Sequence, residues 1–419
     1  MKIWLIQTGE PLPLQPSVRK MRTALLADIL IARGHTVRWW VSAFEHQSKK
    51  MLFESDREVD LYAGLTLQIL RGWGYSRNIS PARYLDHRLV AKKFRTQARG
   101  LEPPDVIIAS MPCHHLAFEA VRYARLRNIP LLVDVRDLWP DIFLTRIGNP
   151  LIKKIGQLAL NSDFRRVRQL LTAADALVAV SNGYLDWALK LAGRPGGEWD
   201  RVFLLGYQAY SETARPSSPS NLPSWLKGHE AKKLILFIGT FGVSYELSLV
   251  VEAARQLQSA GMEDVCFILA GRGEQEEMIR RKSVSLTNLL TPGWIGAEEI
   301  AVILQLGYLG LLPYTNKAPQ SLPNKPFEYL SRGLPIISSL KGEMADLIED
   351  HGLGLNYASG DLDGLCSAIE SLLVNRGLHT KMSANTRAFF KEYGHADKIY
   401  SEYAKHIERL ACADKINNQ

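Results

Sequence analysis

The residues of this chain that could do chemistry gather around glycine-rich turns. The stretch NKPFEYLSRGLP, residues 324–335, sets Asn324 and Lys325 before Pro326, Glu328 just after it, and Gly333 ahead of Leu334-Pro335. Proline favours the first helical position, so a short helix is predicted from about Pro326, with Lys325 at its N-terminus and Glu328 in its first turn. A helix N-terminus attracts anions, a lysine adds a full charge, and a carboxylate accepts paired hydrogen bonds from neighbouring hydroxyls. The combination suits a ligand that carries phosphates and a ribose or other sugar. The competing reading makes Glu328 a surface residue that complements the helix dipole.

Two further turns have the same character. LILFIGTFGVSYEL sets Gly239, Thr240 and Gly242 after a strand and before a helix, and FILAGRGEQEEMI does the same with Gly271, Arg272 and Gly273. Glycines there let backbone N–H groups approach a phosphate, and an arginine can fork onto it. A tight turn and a solvated arginine are the bland alternatives. The dinucleotide fingerprint is absent, because a third glycine is missing and no acidic residue follows at the usual distance.

These turns require strands that end beside helices, and the apolar pattern supplies them. KIWLIQ reads as a strand, residues 18–33 as a helix closed by Gly34, and HTVRWWVS as the next strand. Further strands are predicted at 106–109, 131–133 and 176–180. Residues 206–230, rich in Ser and Pro, read as a linker. The alternation then restarts with KKLILFIG, a helix over 245–259, DVCFILAG, a helix over 274–282, LGLLPY and PIISS. Short apolar runs alternating with helices predict an α/β fold of two Rossmann-like, doubly wound parallel-sheet domains with a ligand cleft between them. The expected domains are 1–205, 206–385 and a C-terminal helical segment, 386–419, that packs back on the first.

Composition narrows the class. With 419 residues, 46% hydrophobic and 22% charged, the chain has the make-up of an ordinary two-domain globular protein. Its four cysteines are far apart with no C-x-x-C pair, as in a reducing cytoplasm. The N-terminal apolar run is too short for a signal peptide, and the longest apolar stretch, 301–312, is too short for a span. Residues 1–205 hold 30 Lys and Arg against 19 Asp and Glu, a net +11, whereas the remainder is net −3 at 21 against 24. A basic first half can meet phosphates or lipid headgroups. Residues 77–99 mix Arg83, Arg88, Lys92, Lys93 and Arg95 with Tyr84, Leu85, Leu89, Val90 and Phe94. This basic amphipathic helix is expected to touch an anionic membrane through Lys92, Lys93 and Arg95, an ordinary domain helix being the alternative. Asp361-x-Asp363 reads as a helix N-cap, and no His/Cys cluster has ligand spacing, so no metal is expected.

Taken in order, QTGEPLPLQPSVRKMRTALLADILIARGHTVRWW, DVRDLWPD, ADALVAVSNGY, LFIGTFG, LAGRGEQ, TPGWIGAEEIAVILQLGYLGLLPY and NKPFEYLSRGLPII resemble the GT-B glycosyltransferases, specifically retaining family 4, over nearly the whole chain. DVRDLWPD is similar to the run found in members that build bacterial surface polysaccharides. The resemblance implies a nucleotide-diphosphate sugar held by the second domain, with Gly239, Thr240, Gly242, Gly271, Arg272, Ser321, Asn324, Lys325 and Glu328 around it. Glu328 matches the second glutamate of the family's E-x7-E signature, which holds the ribose. At the first stands Gln320, a neutral amide that cannot act as a charged base. Thr240 to Leu247 lacks the arginine and lysine of many members, so Lys325 and Arg272 would supply the charge.

On the same resemblance, His114 or His115 in the loop after DVIIAS touches the transferred sugar, only one of the pair pointing inward. Catalysis falls to these histidines with Lys325 and Gln320, and the acceptor meets Gly9, Arg19, Arg136 and Asp137, an ion pair being the rival role for the last two. No cofactor is implied beyond the co-substrate, expected to be a UDP-sugar. The expected partners are that donor, a lipid-linked or oligosaccharide acceptor and the anionic inner face of the cytoplasmic membrane, with no nucleic acid. The expected reaction is metal-independent transfer of an N-acetylated hexosamine or related sugar in cell-surface polysaccharide biosynthesis, lipopolysaccharide included. A nucleotide-sugar 2-epimerase of the same fold and a non-catalytic nucleotide-binding partner are the alternatives.

Overall fold

Parallel strands joined by helices build two units, one of Met1–Leu204 with Asp397–Gln419, the other of Leu205–Ala396. The computed structural model describes residues 1–15, 18–77, 80–145, 149–208, 222–318 and 322–417.

The first unit begins with β1 (Lys2–Ile6), α1 (Arg22–Ala32), β2 (Thr36–Ser42), β3 (Phe44–Glu45), β4 (Lys50–Met51), β5 (Arg57–Tyr62), β6 (Leu65–Leu70) and α2 (Pro81–Gln97). It continues with β7 (Val106–Ser110), α3 (His114–Arg127), β8 (Leu131–Val135), α4 (Ile142–Thr145), α5 (Pro150–Ala159) and α6 (Asn161–Thr172). Then come β9 (Ala176–Ala179), α7 (Asn182–Ala192) and β10 (Arg201–Val202). The sheet order is β10-β9-β8-β7-β1-β2-β6-β5. Every neighbouring pair is parallel except β5 with β6, whose hairpin turns at Gly64 and gives the sheet an antiparallel edge that the apolar runs did not announce.

One face of this sheet is sealed by aromatics. The Trp40 and Phe94 ring centroids lie 4.7 Å apart edge to face, and Trp4 stacks on Tyr123 at 5.2 Å. Such pairs add to the burial of large apolar rings and dock α2 and α3 on β1 and β2. The apolar side of α2, with Val90, Ala91 and Phe94, is therefore spent on the core. This corrects the expectation of a membrane-lying α2: Lys93 is paired with Asp56 at 2.6 Å, Arg95 faces Glu119 at 3.9 Å, and Lys92 is exposed on the outer side.

The second unit runs β11 (Lys233–Ile238), α8 (Leu247–Ser259), β12 (Val265–Ala270), α9 (Glu276–Ser283), β13 (Leu289–Gly293), α10 (Ala297–Leu306) and β14 (Gly307–Leu312). It closes with α11 (Lys325–Leu330), β15 (Ile336–Ser338), α12 (Glu343–His351), β16 (Gly354–Asn356), α13 (Leu362–Val374) and α14 (Arg376–Phe389). All six strands are parallel, in the order β13-β12-β11-β14-β15-β16. Phe237, Phe267 and Ile235 from the sheet pack with Val250 and Leu257 of α8 and Ile369 and Leu372 of α13.

The end of the chain divides at Ala396, eleven residues beyond the expected 385, because α14 stays with the second unit. The last helix, α15 (Ala396–Asn417), belongs from Asp397 onward to the first. There Tyr403 stacks on Phe203 at 4.6 Å, and Glu408 takes hydrogen bonds from Arg33 at 2.7 Å while meeting His35 at 2.7 Å. Among the described residues no helix is long and apolar enough to cross a membrane.

Candidate functional site

The glycine turns of the second unit meet one another. After β11 the chain passes through Gly239 at φ 140°, and after β12 through Gly271 at φ 153°, conformations that L side chains rarely adopt. A Cβ on Gly271 would lie 1.8 Å from the Gly239 carbonyl oxygen, so the two turns touch backbone to backbone. Phe241 donates its N–H to Arg272 O at 2.8 Å, and the Gln275 side-chain amide donates to Gly242 O and Tyr245 O at 2.6 and 2.9 Å. These bonds fix the loop that carries Thr240 and Gly242.

Lys325 arrives over this platform from the start of α11. Its ammonium donates to the Tyr245 hydroxyl at 2.9 Å and lies 4.3 and 4.8 Å from the ring centroids of Tyr245 and Phe237. A Cβ on Gly239 would come within 2.4 Å of Lys325 Nζ, so the glycine is what lets the cation reach the loop. Tyr245 is placed by Tyr314, hydroxyl to hydroxyl at 3.2 Å, and by Glu246, whose backbone N–H donates to Pro313 O at 2.7 Å. Three positions on, Glu328 is 6% exposed between Phe327 and Tyr329. A half-buried lysine beside two glycine turns has the chemistry to receive an anion.

The first unit holds a second concave site of about 340 Å³, lined by Gln7, Gly9, Glu10, His46, Arg83, Asp86, His87, Asp137 and Trp139. Its polar groups are desolvated. Burial, with help from Arg83, lowers His87 to about 3 and, with Lys49 as well, His46 to about 4, so both imidazoles are neutral near pH 7. Burial raises the Asp137 and Asp86 carboxyls above their ordinary value despite backbone hydrogen bonds from Leu138 and Gly74. Gln7 Oε1 is buried on this wall with no hydrogen-bond partner among the described residues. The carboxylates and amide acceptor of such a pocket could receive a polar, hydroxyl-bearing molecule.

Residues 232–375 match the family model for glycosyl transferases group 1. Crystal structures that superpose over nearly the whole chain include HepE from Anabaena in complex with UDP, at TM-score 0.67, 15% identity and coverage of 97% of this chain and 99% of that one. The chain has the GT-B fold, and its residues 232–375 are similar to the glycosyl transferases group 1 domain. Sucrose-phosphate synthase from Thermosynechococcus elongatus superposes on this GT-B chain at TM-score 0.70 with 15% identity, covering 98% and 99% of the two chains. WaaG, a glycosyltransferase involved in lipopolysaccharide biosynthesis, does so at TM-score 0.61 with 14% identity, covering 97% and 99%. A 2-deoxystreptamine N-acetyl-D-glucosaminyltransferase of Niallia circulans is 26% identical over 159 residues, 37% of this chain. That alignment spans 40% of the relative's length.

Several expected residues of the GT-B chain fall together. Gly239, Thr240, Gly242, Gly271, Lys325 and the Arg272 backbone form one surface; the Arg272 side chain, Thr240 and Asn324 are exposed beside it. Gln320 and Ser321 lie outside the described residues. In the first unit, Gly9 and Asp137 line the 340 Å³ pocket, whereas Arg19 is exposed elsewhere on the same loop.

Arg136 takes the rival role. It bonds Glu10, Thr23 Oγ1 at 2.9 Å and Asp134 at 2.9 Å, and Asp134 also binds Arg22 at 3.0 Å. Burial would raise the Asp134 carboxyl, but the guanidiniums of Arg136 and Arg22 hold it below its ordinary value.

His114 and His115 correct the expectation most. They open α3 instead of lying in a loop, and both are buried, 2% and 5% exposed. His114 Nε2 bonds Asp163 at 2.8 Å, and His115 Nε2 lies 3.8 Å from the same carboxylate. These three side chains are close enough to share a metal ion, a cluster that spacing could not reveal because Asp163 comes from α6. The Arg166 guanidinium sits among them, 2.9 Å from Asp163 and 3.4 Å from His115 Nε2. Burial, His114 and Arg166 lower His115 to about 2. Neither histidine lines the 340 Å³ pocket; His46 and His87 do. Those two were missed, as were Arg83 in this role, Tyr245 and Tyr314. A tyrosine six residues after Gly239, on the same turn, was the available signal for Tyr245.

Proposed function

We propose that this GT-B chain is a retaining family 4 glycosyltransferase that moves a sugar from a UDP-sugar to a lipid-linked or oligosaccharide acceptor in cell-surface polysaccharide assembly, at the cytoplasmic face of the membrane. The transferred sugar is an N-acetylated hexosamine or a close relative. The observation that carries this reading is Lys325 Nζ seated over Gly239 and hydrogen-bonded to Tyr245. A nucleotide diphosphate supplies the anion such a site takes. UDP in HepE and N-acetylglucosaminyl transfer by the Niallia relative favour the base and the sugar.

In this mechanism Lys325 and the N–H groups of the glycine turns hold the diphosphate and stabilise the charge that grows on its oxygen as the bond to the sugar breaks. Glu328 holds the ribose hydroxyls. The acceptor hydroxyl attacks the sugar carbon on the face the diphosphate leaves. The departing diphosphate oxygen takes its proton, so the configuration at the sugar carbon is retained and no strong protein base is needed. Gln320 can accept and donate hydrogen bonds to the sugar but carries no charge. No metal takes part in this scheme.

A thermal-shift panel of UDP, GDP, ADP and CDP tests the donor, since a bound ligand stabilises in proportion to its affinity. UDP is expected to raise the midpoint most; equal shifts by all four would remove the base assignment, and no shift would remove the donor site.

A further inference from the structure

Helix α5, PLIKKIGQLA, is built as an amphipathic helix yet buries nothing. Leu151, Ile152, Ile155 and Leu158 are 69%, 54%, 59% and 76% exposed. At about 100° per residue, these four and Ala159 occupy an arc of about 120°, with Lys153, Lys154 and Gln157 on the rest of the circumference. An isolated helix of this length is marginal in water and ordinarily owes its stability to burial of its apolar face. Here the N-terminus is secured instead: Pro150 takes a first-turn position and Asn149 Oδ1 accepts from Leu151 N at 2.9 Å and Ile152 N at 3.4 Å. The helix is thus preformed with its apolar face presented outward.

We infer that α5 is the membrane-docking element of the first unit, lying in the plane of an anionic bilayer with Leu151, Ile155 and Leu158 in the acyl boundary. Charge selects this occupant. Residues 149–172 contain Lys153, Lys154, Arg165, Arg166 and Arg168 but a single acid, Asp163, which is buried and bonded to His114 and Arg166. Lys153, Lys154, Arg165 and Arg168 are exposed, so a basic belt borders the apolar face, the pattern of helices that rest on anionic headgroups. A second copy would set this belt against itself. A helix about 15 Å long also offers far less than the roughly 800 Å² per partner of a stable protein interface.

The inference rests on the reading of the acceptor as lipid-linked, and the path from α5 gives it a place. Leu160, which joins α5 to α6, lines an apolar cavity of about 460 Å³ with Tyr84 and Pro140. That cavity shares Arg83, Trp139 and Phe143 with the 340 Å³ polar pocket. An amphiphile rising from the bilayer beside α5 would leave its apolar part against Leu160 and Phe143 and carry its polar end past Arg83 to Asp137.

The test is co-sedimentation of the full chain with vesicles of phosphatidylcholine alone or with 30% phosphatidylglycerol, together with the UDP-induced thermal shift. The chain is expected to pellet with the anionic vesicles. Ile155→Asp with Leu158→Asp should cut binding at least tenfold, and Lys153→Gln with Lys154→Gln roughly fivefold per charge, with unchanged melting and an unchanged UDP shift. Lys92→Gln should have little effect. Equal pelleting of the Ile155→Asp, Leu158→Asp variant would overturn the inference. So would a chain that ignores vesicles and elutes as a dimer which that variant dissociates. A UDP shift without vesicle binding defeats this inference alone; vesicle binding without any nucleotide shift defeats the transferase reading instead.

Discussion

Lys325 Nζ donates to the Tyr245 hydroxyl at 2.9 Å, joining residues 80 positions apart over the bare backbone of Gly239. Among the described residues the lysine is held by one hydrogen bond and two aromatic faces, and its other N–H donors can turn to an anion. Lys325→Ala should weaken UDP binding by roughly ten- to a hundredfold, the range for a hydrogen bond to a charged group, with the fold intact. Tyr245→Phe keeps the ring beneath the ammonium and should cost about threefold to tenfold. Calorimetric titration of both variants with UDP decides the point; an unchanged affinity for Lys325→Ala would take the lysine out of the site.

Gly239→Ala tests the platform itself. The new methyl would strike Lys325 Nζ and Cε at 2.4 and 2.6 Å and sit at a φ of 140°. Backbone strain of this kind costs about 1–3 kcal/mol, and the displaced lysine should abolish the UDP-induced shift. Wild-type melting and a normal shift would show that Lys325 does not need this approach.

In the first unit, Asp134 is fully buried between Arg22 and Arg136. Asp134→Ala leaves two guanidiniums facing each other without their shared carboxylate. Removal of one partner from a buried ion pair costs about 3–5 kcal/mol, which urea denaturation followed by tryptophan fluorescence would register. A loss below about 1 kcal/mol would mean that the network is solvated in solution.

Much of this was legible in the residues, and the failures share one cause. The strands, both glycine turns and the Pro326 helix start are local properties of composition and spacing, and each lies where it was expected. The meeting of Gly239 with Lys325, and of His114 with Asp163, depends on strand order, which no local pattern encodes. For the same reason residues 77–99 read in the sequence as a membrane face: their pattern is that of any amphipathic helix, and only the Trp4–Trp40–Phe94 cluster shows that Phe94 and its neighbours on α2 are already covered. The converse holds for α5, whose i, i+4, i+7 leucines and isoleucine would normally face a core. Its exposure follows from its neighbours and not from its own sequence.

The buried histidines make stability depend on pH. His87 is lowered from 6.5 to about 3 and His115 to about 2, chiefly by burial, so the unfolded chain takes up protons near pH 6.5 that the folded chain refuses. Their contribution is complete above pH 6.5 and is lost as pH falls toward 3, with a limiting slope of about 1.4 kcal/mol per pH unit for each histidine. The melting midpoint should therefore fall between pH 7.5 and 5.5, and His87→Asn should flatten the decline. A midpoint that rises on acidification would reverse the sign of this account.

The central claim, sugar transfer from a UDP-sugar held at Lys325 and Gly239, is tested most directly by release of UDP from UDP-N-acetylhexosamines with and without a polyprenyl-diphosphate-sugar acceptor. The account predicts release that requires the acceptor, stops in Lys325→Ala and yields a product with the donor's anomeric configuration. Tight binding of the UDP-sugar with no turnover against any acceptor, or a product of inverted configuration, would contradict it.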